Sequence, residues 1–239
     1  MDTLTDYDTS RRRFLLGLLA GGALLTLPGC SSNTRMIRAM PMPDMMPQDK
    51  SVFQYIGRFT VNGQVADINS RVGAGDIIET DESTEVVFVV NKDAFLLRAS
   101  SRMMINQQAI GGHYTLQQGK LMSVFAKRQT QIRTPSAVIG IRGTGVYLES
   151  DVNSTYVCTC YGETDIATID NPAISESIAS KHHDSPRYVL ADTSASERIL
   201  PAPFINHDDQ ELQLIETLVG RSTPYVVPKG VSRTRKPYL

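Results

Sequence analysis

Short apolar stretches separated by turn residues fill most of this chain. Phe59-Thr60-Val61 is followed by Asn62-Gly63, a pair suited to a type I′ hairpin turn. Val72-Gly73-Ala74-Gly75-Asp76 marks a second turn and leads into Ile77-Ile78-Glu79-Thr80. The run at 85–90 predicts a buried strand, closed by Asn91-Lys92-Asp93 and answered by a strand at 94–98. Further strands are predicted at 103–106, 114–116, 120–125, 130–133, 145–149 and 155–160. Long amphipathic helices do not alternate with them, so a parallel βαβ architecture is excluded. The pattern predicts an all-β domain over 52–202, built as a roll, sandwich or solenoid of short strands.

The periodicity changes after residue 203. Leu212, Ile215, Leu218 and Val219 recur at spacings of three and four, which predicts one C-terminal α-helix within 203–221. Acids at Asp208, Asp209 and Glu211 favour its positive end, Asn206 is the expected N-cap, and Gly220 stops it. Residues 222–239 hold Lys229, Arg233, Arg235 and Lys236 among prolines and read as a loose basic tail. Residues 30–51 read as a linker. Its Met40-Pro41-Met42-Pro43-Asp44-Met45-Met46-Pro47 run cannot propagate a helix and favours an extended spacer. Methionine thioethers suit Cu(I), but in a linker they serve equally as unspecific apolar residues.

The first 29 residues have the organisation of an export signal. Ser10-Arg11-Arg12-Arg13-Phe14-Leu15 resembles a twin-arginine motif, with Arg11 and Arg12 as the paired arginines. The apolar run that follows is diluted by Gly17, Gly21 and Gly22 and is shorter than the ~20 residues that span a bilayer. Leu27-Pro28-Gly29-Cys30 resembles a bacterial lipobox, which makes Cys30 the expected acylation site. Localisation on the periplasmic side of a bacterial envelope, held to the membrane by lipid, is the resulting expectation. Cleavage there leaves roughly 210 residues, enough for one domain with a substantial core. A formal charge of −1 gives no global field for nucleic acid or for an anionic membrane, and the absence of tryptophan argues against an aromatic-lined sugar or cofactor groove.

Residues 61–149 resemble the FecR domain of bacterial envelope proteins. The likeness begins at Val72-Gly73-Ala74-Gly75-Asp76-Ile77-Ile78-Glu79-Thr80 and continues through Leu116-Gln117-Gln118-Gly119-Lys120-Leu121. It is sharpest at 133–146, where Thr134, Pro135, Gly140, Arg142, Gly143 and Thr144 match a T-P-x-A-x-x-G-V-R-G-T-x-F signature. The same glycines have a reading without the family: Gly140, Gly143 and Gly145 punctuate β-branched residues, as at a bulge or a close backbone approach, with Pro135 opening a strand. The order Gly-x-x-Gly-x-Gly lacks the Gly-Lys-Ser/Thr ending of a phosphate-binding loop. The resemblance implies a sensing or binding role toward an envelope protein or ligand. Founding members also regulate a sigma factor, but through a cytoplasmic tryptophan-bearing segment without a counterpart here, so direct sigma-factor contact is not expected.

No Gly-x-Ser-x-Gly, His-Glu-x-x-His or paired-carboxylate motif is present, and the expectation is a non-enzymatic protein. One constellation carries chemistry. Cys158 and Cys160, at i and i+2 on a strand, present both thiols from one face, with Cα atoms about 6.5–7 Å apart. That separation disfavours a disulfide and makes a half-site for a soft or borderline ion. An imidazole from His182 or His183 would complete it for zinc or copper. The FecR resemblance implies that these strands follow as neighbouring hairpins, with Tyr161-Gly162 and Asp184-Ser185-Pro186 as their turns. His113, after two glycines, reads as a turn residue.

Overall fold

The structure, a computed structural model, describes residues 44–106 and 112–227. Arg11, Arg12, Cys30, most of the 30–51 linker and the tail beyond Val227 lie outside them. The described chain is all-β with one C-terminal helix. Its strands are β1 (Val52–Ile56), β2 (Phe59–Val61), β3 (Gln64–Val65), β4 (Ile77–Thr80), β5 (Glu85–Val90), β6 (Asp93–Leu97), β7 (Arg102–Ile105), β8 (Gly112–Val124), β9 (Gln129–Arg133), β10 (Ala137–Ser150), β11 (Ser154–Thr168), β12 (Ser175–Ser180), β13 (Arg187–Leu190) and β14 (Ile199–Pro201). The helix, α1, spans Asp209–Leu218.

Three strands are much longer than the pattern suggested: β8, β10 and β11 have 13, 14 and 15 residues. Each changes partners along its length. The first part of β8 pairs with β7 and, in parallel, with β9, and its second part pairs with β6 and β10. β10 likewise passes from β9 to β8 while following β11 throughout. The bends lie at glycines that resemble turns in the sequence. Gly119 (φ +98) interrupts β8 without ending it, and a Cβ there would come within 2.5 Å of the Ser101 Cα. Tyr161-Gly162, expected as a turn, is an irregularity inside β11 where the β10 register shifts. Pro135 does not open a strand either; it sits in the β9–β10 turn, where the Thr134 hydroxyl accepts from the Ala137 N–H. His113 lies within β8, opposite Gln131.

The strands at the centre are buried on both faces, which explains their near-continuous apolar sequences. Phe88, Phe95, Leu97, Leu121, Leu148 and Val157 point into one core. Their neighbours Val87, Leu96, Met122, Tyr147, Tyr156, Cys158 and Cys160 point to the other side, where α1 lays down Leu212, Ile215 and Leu218. Gly145 permits this approach: a Cβ there would meet Leu212 at 3.0 Å and Tyr161 at 2.7 Å. Ile215 is fully buried. Ile215→Ala should therefore cost about 2–5 kcal/mol through lost transfer energy and the cavity left behind, read by urea denaturation. A loss below about 0.5 kcal/mol would show that the helix contributes little to the domain.

The helix starts differently from expectation. Asp208, not Asn206, is the N-cap: its side chain accepts from the Glu211 N–H, and Glu211 returns a bond to the Asp208 N–H. That reciprocal pair satisfies two amides that have no partner within the helix. Asn206 instead donates to Glu149 at 2.7 Å. Gly220 (φ +70) ends the helix as expected. The last linker residues are also not free spacer, since Met46 N–H donates to the Leu218 carbonyl at 2.9 Å and Met46 packs on the helix-side core.

Candidate metal centre

β11 brings Cys158 and Cys160 to its helix-covered face, and both are fully buried and unbridged. His183 reaches them from the turn between β12 and β13. It takes a left-handed conformation (φ +57), fixed by its N–H donating to the Cys160 carbonyl at 2.9 Å. Asp184 reinforces this turn by accepting from the amides of Lys181 and His182. A fourth residue arrives from the segment entering the helix: His207, one residue before the N-cap and buried. One donor atom from each of Cys158, Cys160, His183 and His207 lies within 4.8 Å of all the others.

His182 does not join this group. It is half-exposed and turns to Asp209, its Nε2 standing 2.9 Å from Oδ1. Both expected thiols and one of the two alternative imidazoles, His183, converge, and His207 joins them as a fourth donor. The strand period signalled the thiols. His207 and the supporting Asp209 carried no such signal, because their placement depends on how the helix docks.

Hydrogen bonds set the imidazole tautomers. His207 Nδ1 faces the Ile205 carbonyl at 2.6 Å, an acceptor, so Nδ1 carries the proton and Nε2 presents its lone pair. His183 Nε2 faces the Asp209 carboxylate at 2.8 Å and likewise carries a proton. That leaves His183 Nδ1 directed at His207 Nε2, 3.0 Å away, and at Cys158 Sγ, 3.7 Å away. With both rings neutral, two lone pairs meet beside a sulfur. Only a cation, a proton or a metal, relieves that contact. The partners of the far ring nitrogens, a carboxylate and a carbonyl, are those that commonly orient metal-bound histidines.

The ionisation states fit the same picture. The Cys158 thiol is lowered to about 3, chiefly by a hydrogen bond from Cys160, with His183 and His207 helping against the cost of burial. Burial and the neighbouring Cys158 push Cys160 up. For His183, burial works against the imidazolium, but the Cys158 thiolate and Asp209 carboxylate outweigh it and raise its pKa. Both shifts favour negative charge on Cys158 beside positive charge on His183. Cys158, His183 and Asp209 also line up as nucleophile, base and orienting acid would. The sulfur, however, is fully buried.

Aromatic rings close the site. Tyr147 stacks on His207 with centroids 4.4 Å apart, Phe204 lies 4.8 Å from His183, and Tyr225 lies 4.3 Å from His182. Tyr225 belongs to the expected tail, whose first residues are therefore docked on the domain.

The residues resembling the FecR signature have structural duties elsewhere. Thr134 and Ser136 both bond Thr155 at 2.7 Å, tying the β9–β10 turn to β11. Arg142 pairs with Asp165 at 3.1 Å on the exposed surface beside Gly140. Gly143 (φ +62) opens the irregularity in β10, and the Thr144 hydroxyl bridges it by accepting from the Glu163 N–H at 3.1 Å.

Fold and site together define an all-β domain with a buried Cys₂His₂ donor set clasped under its C-terminal helix. No protein-family model matches the chain, and no curated protein matches it. Among solved structures it is similar to a protein from Parabacteroides distasonis described as a candidate anti-sigma factor, seen in crystals at 1.65 Å and 2.50 Å. In both cases identity is 12%, the TM-score is 0.45, and the match covers 57% of this chain and 62% of the other.

Proposed function

We propose that this protein is a non-enzymatic envelope module that binds one zinc ion through Cys158, Cys160, His183 Nδ1 and His207 Nε2. The observation that carries the reading is the 3.0 Å approach of two imidazole nitrogens whose far sides already hold the protons. Two thiolates and two imidazoles are a typical closed set for structural zinc, with distances of about 2.3 Å to sulfur and 2.0–2.1 Å to nitrogen. The four donors lie within 4.8 Å of one another, so the widest pair closes by about 1 Å to reach tetrahedral spacing, while the two nitrogens, 3.0 Å apart, separate slightly. Copper(I) would accept the same sulfurs and is the competing ion. Burial of both thiols supports a structural rather than a catalytic role.

The FecR-like signature supports a binding or sensing role toward an envelope partner. The signal-like first 29 residues support twin-arginine export and anchoring through Cys30 on the periplasmic side. Protein purified under reducing conditions should carry about one equivalent of metal. Cys158→Ser with Cys160→Ser should abolish binding and His207→Ala should weaken it, while His182→Ala retains it. Protein that stays empty when offered Zn²⁺ and Cu⁺ would overturn the assignment, leaving the Cys158–His183 contact as a packing feature.

A further inference from the structure

A second feature lies outside the metal centre. A groove of about 1090 Å³ opens where the start of β1, the β3–β4 loop, the β5–β6 turn, the β8–β9 turn and the end of α1 meet. These separate segments bring Lys50, Arg71, Lys92, Lys127 and Arg221 to its walls. Arg221 is neutralised by Glu216, at 2.7 Å. Among the described residues, the other four cations have no ion-pair partner.

The one acid lining the groove, Asp76, accepts from the Asn62 side chain and the Gly73 amide, both at 2.8 Å. The groove therefore carries a clear positive excess in a chain whose formal charge is −1. Random scatter of surface charge in a near-neutral protein mixes signs. Here turns distant in sequence supply one sign. Met45 and Met46 also line the groove, next to Asp44, where the described residues begin.

We propose that this basic groove is a docking surface for anionic phospholipid headgroups, which turns this face of the domain to the membrane. The charge is complementary to such a surface, and the exposed lysine and arginine side chains can reach phosphates without rearranging the core. Basic residues close to an anionic membrane act additively and within about a Debye length. Docking would thus be strong at low salt and lost at high salt. The proposal is independent of the zinc reading and of acylation at Cys30.

The test compares the full chain carrying Cys30→Ala, so that no lipid anchor drives binding, with the same chain also carrying Arg71→Ala, Lys92→Ala and Lys127→Ala, all three positions being exposed. Binding is measured by co-sedimentation with vesicles of phosphatidylcholine alone, or with about a third phosphatidylglycerol. The full chain should prefer the anionic vesicles, and the triple variant should bind them about a hundredfold more weakly. Unchanged metal content and melting temperature in the variant would show that fold and metal centre are intact. Equal binding to both vesicle types, or equal binding by both proteins, would overturn the proposal. So would loss of vesicle binding to millimolar inorganic phosphate at constant ionic strength, which would identify a pocket for a free anion.

Discussion

Replacing Arg98 with methionine should cost about 3–5 kcal/mol of folding stability, measured by urea denaturation. Arg98 follows β6 and reaches the helix across the sheet, with its side chain 4% exposed and that of Glu211 2%. Its Nη2 donates to both Glu211 oxygens, at 2.8 and 2.7 Å. Its Nη1 donates to the Tyr147 hydroxyl at 3.0 Å and to the Asn206 carbonyl, and the guanidinium lies 5.0 Å from the Tyr147 ring centroid. Methionine fills much of the same volume, so the loss would be mainly electrostatic. Glu211 cannot escape to solvent cheaply, because its carboxylate also closes the capping box of α1. A carboxylate stripped of its cation inside a protein is expensive, whereas replacing both partners is often tolerated. Arg98→Met combined with Glu211→Gln should therefore recover most of the loss, since an amide oxygen can still accept from the Asp208 N–H. A single-variant cost below about 1 kcal/mol, or a double variant no more stable than the single, would show that the pair is not what fixes the helix.

What could be read from the sequence depended on distance along the chain. Strands were legible because alternation and turn residues are local, and the helix because its apolar spacing is local. Gly119 and Gly162 misled for a physical reason. A positive-φ glycine serves a turn and a strand irregularity equally well, and only the second partner strand distinguishes them. The three long strands were accordingly read as pieces. The N-cap was misplaced because Asn206 and Asp208 are both good caps, and Glu211 three residues after Asp208 was the deciding signal.

In the site, two thiols at a spacing of two announced themselves. Choosing between adjacent histidines needed the left-handed backbone at His183. His207 lies 24 residues from His183, and Arg98 lies 113 from Glu211. Pairings at such separations leave no local pattern. The docked helix creates them, and its depth over Gly145 is a property of the packed core.

Removing metal should loosen the helix before it loosens the sheet. The four donors come from β11, the β12–β13 turn and the segment entering α1, so an ion bound by all of them ties the C-terminal segment to the sheet. An ion that binds only the folded form stabilises it by RT ln(1 + [L]/Kd), about 4 kcal/mol at a thousand times Kd. That stabilisation acts on whichever opening separates the ligands. Lifting α1 with His207 separates them, while opening at β2–β4 does not. Amides of α1 should thus lose up to about a thousandfold in hydrogen-exchange protection when zinc is chelated. Amides in the β2–β4 pairing should change far less. The helix need not unfold completely, because Leu212, Ile215 and the Arg98–Glu211 pair remain. In the Cys158→Ser, Cys160→Ser variant, exchange from α1 should be the same with and without zinc. His182→Ala should behave like the unaltered protein, since His182 gives no donor to the Cys158, Cys160, His183 and His207 group and meets it through Asp209 and the side of the His183 ring. Zinc that raises protection evenly over sheet and helix would mean that the ligands separate only on global unfolding. Zinc that changes neither would mean that these four side chains do not hold it.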